Sequence, residues 1–246
     1  MLVKSTVKYI QTLGQKKFRE EEGMFIAEGP KIVKELLEES NVNVTALFAL
    51  QDWINNNKKL IGATAITEIT ETELEKISQL TTPNKVVAVV QQFDVKKEVS
   101  AKDTITLVLD GIQDPGNLGT IIRIADWFGV SQIICSNDSA DMYNPKVVQS
   151  TMGSIARVKV IYTDLQEWLS RQKDISIYVT TLGGKDIHKT KKIKEGIIVF
   201  GNESKGISPE ILDFCTDKIT IPKKGKAESL NAAVAAGIVL SHVVSH

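Results

Sequence analysis

The stretch Ile105-Thr-Leu-Val-Leu-Asp110-Gly-Ile-Gln-Asp-Pro-Gly-Asn-Leu-Gly-Thr120-Ile-Ile-Arg123-Ile-Ala-Asp-Trp-Phe128, followed by Gln132-Ile-Ile-Cys135, decides how this chain is read. Residues 105–109 form a short, nearly continuous apolar run, as a strand buried on both faces requires. The apolar residues of 118–128 follow helical spacing, and residues 132–135 read as a second strand. Strand, helix and strand in this order make a βαβ unit, whose strands run parallel.

The same alternation extends toward the C-terminus, with strands predicted at 175–180, 196–200 and 218–221 and helical patterns at 165–171 and 229–244. On the other side, Ile32-Val33 and Leu36-Leu37 follow helical spacing after Glu28-Gly-Pro30. Ala46-Leu-Phe-Ala-Leu50 and Val86-Val-Ala-Val-Val90 read as buried strands, giving a small α/β domain. The polar, charged stretch Asp94-Val-Lys-Lys-Glu-Val-Ser-Ala-Lys-Asp103 separates the two regions and reads as a linker. The expected organisation is α/β throughout: a domain over 1–98, and over 99–246 a mostly parallel sheet covered by helices. No internal repeat or low-complexity tract interrupts either.

Composition narrows the class. A chain of 246 residues, 42% hydrophobic, is long enough to bury a core in each domain. Lys plus Arg number 30 and Asp plus Glu number 30, so no global field draws the chain to a polyanion, and any nucleic-acid affinity comes from local patches. The first residues lack the apolar core of a signal peptide, and no apolar run reaches membrane-spanning length, which places the protein in the cytoplasm. Cys135 and Cys215 sit beside apolar residues in separate segments, as buried thiols in a reducing compartment do. With only His188, His242 and His246 and no tight Cys/His spacing, no metal site is expected.

Ligands of an open parallel sheet bind beyond the carboxyl ends of its strands, so the loops leaving those strands carry the chemistry. In the first, residues 110–120, Asn117 stands near the start of a helix that also bears Arg123; an N-cap and a solvated arginine are the plain alternatives. The second, Gly201-Asn-Glu-Ser-Lys-Gly206, has small residues that let backbone N–H groups approach a ligand, or makes an ordinary strand-to-helix turn. The third, Ile221-Pro-Lys-Lys-Gly-Lys-Ala-Glu-Ser-Leu-Asn231, opens a helix, Ala232-Ala-Val-Ala-Ala-Gly237, whose small residues admit a ligand or another backbone close by. Neither a P-loop nor a Gly-x-Gly-x-x-Gly fingerprint is present.

These loops resemble the three sequence motifs of the SpoU (TrmH-like) family of SPOUT RNA methyltransferases. Asn117-Leu-Gly-Thr-Ile-Ile-Arg123-Ile-Ala125 is similar to the first, Phe200-Gly-Asn-Glu203 with Gly206-Ile207 to the second, and Ile221-Pro222 with Ser229-Leu-Asn231 to the third. Phe25-Ile-Ala-Glu-Gly29 and Thr82-Pro83 are similar to the family's N-terminal substrate-binding module, a ribosomal-protein-like α/β fold. The resemblance implies a trefoil knot in the C-terminal domain, a homodimer, and S-adenosylmethionine as cofactor. It implies methylation of a ribose 2′-hydroxyl in RNA, ribosomal ahead of transfer RNA, with no metal and no membrane involved. The cofactor pocket falls on Thr181, Leu182, Gly183, Gly201, Ile221, Ser229 and Leu230, and the catalytic surroundings on Arg123, Asn117, Glu203 and Asn231. Two departures stand out: Lys223 and Ala233 occupy places where the family often has Met and Ser.

Methyl transfer to a hydroxyl is an in-line displacement that needs alignment and removal of one proton. A guanidinium stays protonated in proteins, so Arg123 is expected to stabilise charge developing on the ribose oxygen and to grip a phosphate rather than to act as a base. Glu203 is expected to orient Arg123, to accept the proton, or to cap the following helix, and the two asparagines to position groups by hydrogen bonds. RNA contact is expected from Lys4, Lys8, Lys16, Lys17 and Arg19 and from Lys223, Lys224 and Lys226, a solvated charged face being the alternative. Two other readings stay open: a non-catalytic RNA-binding or ribosome-assembly protein on the same fold, and a Rossmann-like enzyme acting on a phosphorylated metabolite.

Overall fold

The computed structural model describes residues 2–94 and 99–244. Residues 95–98 of the expected linker, and His246, lie outside the described residues. The chain gathers into two compact units, one holding Met1–Asp94 and Asp141–Ala156, the other Val95–Ala140 and Arg157–His246.

The first unit begins with α1 (Lys4–Thr12), α2 (Lys16–Glu22), β1 (Met24–Glu28), α3 (Pro30–Glu38), β2 (Val44–Ala49), α4 (Gln51–Ile61), β3 (Ile66–Glu68), α5 (Glu71–Ile77) and β4 (Val86–Gln91). Its sheet runs β1-β4-β2-β3, with β4 antiparallel to both β1 and β2 and β3 parallel to β2. Local chemistry sets several boundaries. Pro30 starts α3 at a position where its missing N–H costs nothing. Thr70 and Glu73 form a reciprocal capping box on α5. Ile10, Leu13, Ile26, Phe48, Leu74, Ile77, Val87 and Val89 fill the core between sheet and helices.

The second unit continues with β5 (Ile105–Asp110), α6 (Pro115–Trp127) and β6 (Gln132–Cys135). After α7 (Pro145–Thr151), which belongs to the first unit, come β7 (Lys159–Tyr162), α8 (Leu165–Ser170), β8 (Ile177–Asp186), β9 (Gly196–Gly201), α9 (Pro209–Leu212), β10 (Asp217–Thr220) and α10 (Ala232–Val243). Six strands pair in the order β10-β8-β9-β5-β6-β7, every adjacent pair parallel. The sheet expected to be mostly parallel is therefore wholly so. Central strands β5 and β9 are buried along nearly their whole length, which is why both read as continuous apolar runs. Val108, Ile134, Ile161, Trp168, Val179, Ile197 and Val199 form the core beneath the helices. Cys135 is buried, and the apolar surroundings push its thiol up from its ordinary value, whereas Cys215 is only half-buried.

The segment Asp141–Ala156, which follows the 98/99 boundary in sequence, packs inside the first unit. Arg19, expected on an RNA-facing surface, is instead 2% exposed there. Its Nη2 donates to Asp141 Oδ2 at 2.5 Å and its Nη1 to the Leu13 carbonyl at 3.0 Å. The expectation fails because Arg19 faces inward from α2, and the lysines around it take the solvent side. Tyr143 of the same segment accepts a hydrogen bond from the Phe93 N–H at 2.8 Å and packs on Phe25 with ring centroids 4.9 Å apart. Burial pushes the Tyr143 hydroxyl up to about 12.

Removing one partner of a buried ion pair leaves an uncompensated charge, so Asp141→Ala should lower unfolding free energy by about 3–5 kcal/mol, read from urea denaturation. Glu28, buried at the end of β1, is raised from its ordinary value of 4.5 by desolvation, against hydrogen bonds donated by Ser78 and the Gln79 N–H. A raised folded value means stability is full below the ordinary carboxyl range and falls as pH rises through the folded value. Wild type should therefore lose stability relative to Glu28→Gln as pH rises above the ordinary carboxyl range, measured as the difference in urea midpoints.

Candidate functional site

Strand order in the six-stranded sheet reverses between β5 and β9: the chain runs outward from β5 through β6 to β7, then returns to β8 and β9 on the other side. At such a switch point the loops leaving the two strands part and open a crevice beyond their carboxyl ends. The loop from β5 leads to Asn117, and the turn after β9 carries Glu203.

Three of the four expected catalytic residues meet there. Asn117 Nδ2 donates to Glu203 Oε1 at 2.5 Å, and Asn231 Nδ2 donates to Asn117 Oδ1 at 2.7 Å. Asn231 caps α10, its Oδ1 accepting from the Ala233 and Val234 N–H groups at 3.0 and 3.2 Å. The direction of the chain follows from this cap. The helix N–H groups occupy the Asn231 oxygen and leave its NH2 to donate; Asn117 then offers its oxygen to Asn231 and its NH2 to the Glu203 carboxylate. Asn117 itself is not the cap of α6. Asp114 holds that place and accepts from the Asn117 N–H at 2.8 Å, which frees the Asn117 carboxamide. Nor does Glu203 cap a helix, since α9 begins only at Pro209.

Arg123 stands apart. Six residues beyond Asn117 on α6, it points about 120° around the helix from it. It is exposed and has no hydrogen bond or ion pair with a described residue. Trp127, one turn further along the same face, is 83% exposed.

The residues expected to form the cofactor pocket lie on three segments. Thr181, Leu182 and Gly183 belong to a stretch of β8 with no register partner, because pairing with β9 ends at Val179 and pairing with β10 resumes only at Lys185. The strand bulges away from the ladder over this stretch, where the Thr181 hydroxyl donates to the Leu182 carbonyl at 3.4 Å. Leu182 in β8 is 69% exposed, and Leu230 in the loop before α10 is 48% exposed. Ser229 is exposed, and Gly201 and Ile221 are half-buried. Gly201 also has a purely internal reason to be glycine: a Cβ there would stand 2.4 Å from the Gly206 carbonyl carbon. The small residues of α10 likewise serve packing against α6, with Ile124 Cδ1 3.6 Å from where a Gly237 Cβ would be. Backbone donors and acceptors beside exposed leucines suit a flat purine ring, so this donor set fits a nucleoside cofactor.

Sequence reasoning overlooked the residues that hold these loops. Ser136 Oγ accepts from the Gly111 N–H at 2.8 Å, and Asp110 Oδ2 accepts from Ser208 N–H and hydroxyl at 2.7 and 2.8 Å. A small polar residue directly after a buried strand was the available signal. Among the described residues no group of His, Cys, Asp and Glu could hold a metal ion, and no helix is long and apolar enough to cross a membrane.

A wholly parallel sheet whose switch-point loops present a directed chain of two amides and a carboxylate, beside a bulged stretch of β8, defines an open α/β fold with its candidate ligand crevice at the strand-order switch and no glycine fingerprint. Residues 104–241 match the SpoU rRNA Methylase family, and residues 4–88 match the MRM3-like substrate binding domain. The chain is 29% identical to the 23S rRNA (guanosine(2553)-2′-O)-methyltransferase of Bacillus subtilis, over 96% of this chain and 95% of that protein. Two solved structures with bound S-adenosylmethionine superpose closely. The rRNA methyltransferase from Sinorhizobium meliloti has a TM-score of 0.87 and 30% identity over 99% of this chain and 95% of that one. The SpoU methyltransferase AviRb from Streptomyces viridochromogenes has a TM-score of 0.85 and 25% identity over 98% and 97%. The chain belongs to the SpoU rRNA methylase family, and its fold is that of the SPOUT methyltransferases.

The Asn231 cap gives a test of the geometry that is separate from activity. Asn231→Asp keeps an acceptor for the helix N–H groups and adds favourable charge at the N-terminus of α10, while removing the donor to Asn117. Because the new oxygen also faces Asn117 Oδ1, its melting temperature should fall between that of wild type and that of Asn231→Ala, which should lose about 1 kcal/mol in thermal unfolding.

Proposed function

We propose that this protein transfers the methyl group of S-adenosylmethionine to a ribose 2′-hydroxyl of ribosomal RNA. The observation that carries the reading is the hydrogen-bonded chain Asn231–Asn117–Glu203 at the switch point of the sheet. It holds a carboxylate and two amides in one orientation before any substrate arrives, as a preorganised site requires. The relatives' names support the choice of ribosomal RNA: the Bacillus subtilis protein is a 23S rRNA 2′-O-methyltransferase, as is a Streptomyces viridochromogenes protein 26% identical to this chain.

Thr181, Leu182, Gly183, Gly201, Ile221, Ser229 and Leu230 hold the cofactor, the two leucines against its adenine and the bulged backbone of β8 against its polar edges. When bound, S-adenosylmethionine supplies a methyl group already activated by the sulfonium charge, so the protein needs no Lewis acid. Its own residues align the hydroxyl and accommodate one proton. Glu203 accepts that proton, the Asn117 amide holding the carboxylate in place. Arg123 stabilises the oxygen as it becomes negative and grips a neighbouring phosphate. Residues 1–98 serve RNA binding and 99–246 the chemistry. Lys4, Lys8, Lys16 and Lys17 in the first region contact phosphates, as do Lys223, Lys224 and Lys226 beside the cofactor loops; all seven are exposed. Arg19 is not among them.

The protein works in the cytoplasm as a homodimer. Trp127 on α6 and Val234 and Ile238 on α10 expose large apolar side chains on two helices packed together, and a second copy covering them also meets Arg123. The C-terminal chain is knotted. The likeness to solved SPOUT methyltransferases supports this reading.

Incubation with radiolabelled S-adenosylmethionine and unmodified total RNA should label 2′-O-methyl nucleotides of ribosomal RNA. Arg123→Ala should lower the rate about a hundredfold or more, the range expected when a stabilising donor is removed. RNA binding should weaken by at least about tenfold between about 50 and 200 mM salt if the lysines neutralise phosphates. Absence of label, with cofactor and RNA both bound, would overturn the enzymatic reading.

A further inference from the structure

We infer that Asn202 is a positioning residue of the reaction: its carboxamide ties the peptide of Gly111 to the turn that carries Glu203, and so sets where that carboxylate stands against Asn117. The inference rests on the reading of Glu203 and Asn117 as parts of the methyl-transfer site.

Asn202 Nδ2 donates to the Gly111 carbonyl at 2.7 Å. Its Oδ1 accepts from the Ser204 and Lys205 N–H groups at 2.9 and 3.0 Å. These partners leave one orientation of the amide, since the reverse would face oxygen with oxygen and NH2 with N–H. The Asn202 backbone closes the turn from the other side, exchanging two hydrogen bonds of 2.9 Å with Gly206. One residue thus folds the turn around Glu203 and fastens it to the loop that leads to Asn117.

Gly111 is held at both of its polar groups. Its N–H donates to Ser136 Oγ, which in turn donates to Asp138 Oδ1 at 2.6 Å. Its φ of +71° is a conformation that a side chain would resist. With the Gly111 peptide immobile, Asn202 has a fixed anchor. The far end of the turn has its own tie in Ser208 to Asp110, and the Gly206 bridge is main chain. Loss of the Asn202 side chain therefore leaves the turn attached while freeing Glu203 to drift. Reacting groups tolerate little of this: a misplacement of about 1 Å costs about a hundredfold in rate.

The test compares Asn202→Asp, Asn202→Ala, Glu203→Gln and the double variant Asn202→Asp/Glu203→Gln in full-length protein. Readouts are single-turnover methyl transfer to ribosomal RNA, S-adenosylmethionine affinity by calorimetry, KM for RNA, and melting temperature. Asn202→Asp keeps the acceptors for Ser204 and Lys205 but sets an oxygen against the Gly111 carbonyl; Asn202→Ala removes the tie without adding charge. Both should lower kcat about ten- to a hundredfold with KM and cofactor affinity within about threefold of wild type. The double variant should be no slower than the slower of its parents, because residues acting as one unit are non-additive.

Wild-type kcat in both Asn202 variants beside a slow Glu203→Gln would overturn the inference and leave the site reading intact. Full activity in Glu203→Gln would overturn both. Multiplying effects in the double variant, or loss of the fold in both Asn202 variants, would reduce Asn202 to a structural role and overturn the inference too.

Discussion

The pairing of β5 with β9 is the constraint on which the rest of the second unit depends. Six residues of each strand lie in parallel register, from Ile105 opposite Gly196 to Asp110 opposite Gly201. Both strands are buried, so neither can slide without exposing a run of Ile, Leu and Val to water. Because the two strands end side by side, the loops that follow begin a few ångströms apart and separate in opposite directions. Asn117 and Glu203 are 86 residues apart in sequence and share a hydrogen bond for this reason.

From that pairing outward, each element fixes the next. Asp110 and Gly111 end β5 and are held by Ser208, Ser136 and Asn202. Asp114 caps α6 and leaves Asn117 free to face the crevice. The helix α10 then approaches α6 closely enough, over Gly237 and Ile124, to bring its own cap within reach of Asn117. The Asn231 oxygen serves the fold and its NH2 serves the site. A single side chain therefore ties the stability of α10 to the arrangement of the proposed chemistry.

The sequence made much of this legible. The runs read as strands at Val86–Val90, Ile105–Leu109, Gln132–Cys135 and Gly196–Phe200 fall on observed strands, because burial on both faces leaves a continuous apolar signature, and Ala46–Leu50 falls on the half-buried β2 with Leu50 one residue past its end. Strand β7 escaped notice: Lys159-Val-Ile-Tyr162 is short and lies at an edge, with a charged residue at its start. Helix α7 lacks a clear amphipathic stripe over only seven residues, and the assignment of its segment to the first unit has no local signal at all. Arg19 misled for the same reason. Among Lys16, Lys17 and three glutamates it looks like surface, and only the approach of Asp141, 122 residues away, makes an inward arginine tolerable.

By itself the sequence determined the alternation of strands and helices, the loops that carry the motifs and the family they mark, since each is written in periodicity or in short contiguous motifs. Tertiary structure decided which atoms meet. It gave the cap of α6 to Asp114 rather than Asn117, set the donor and acceptor of each amide, turned Arg123 away from the other three, and placed Asn202 as the tie between two loops. Those outcomes depend on pairs of residues tens to more than a hundred positions apart, and hydrogen-bond direction is a property of the assembled pair that neither residue carries alone.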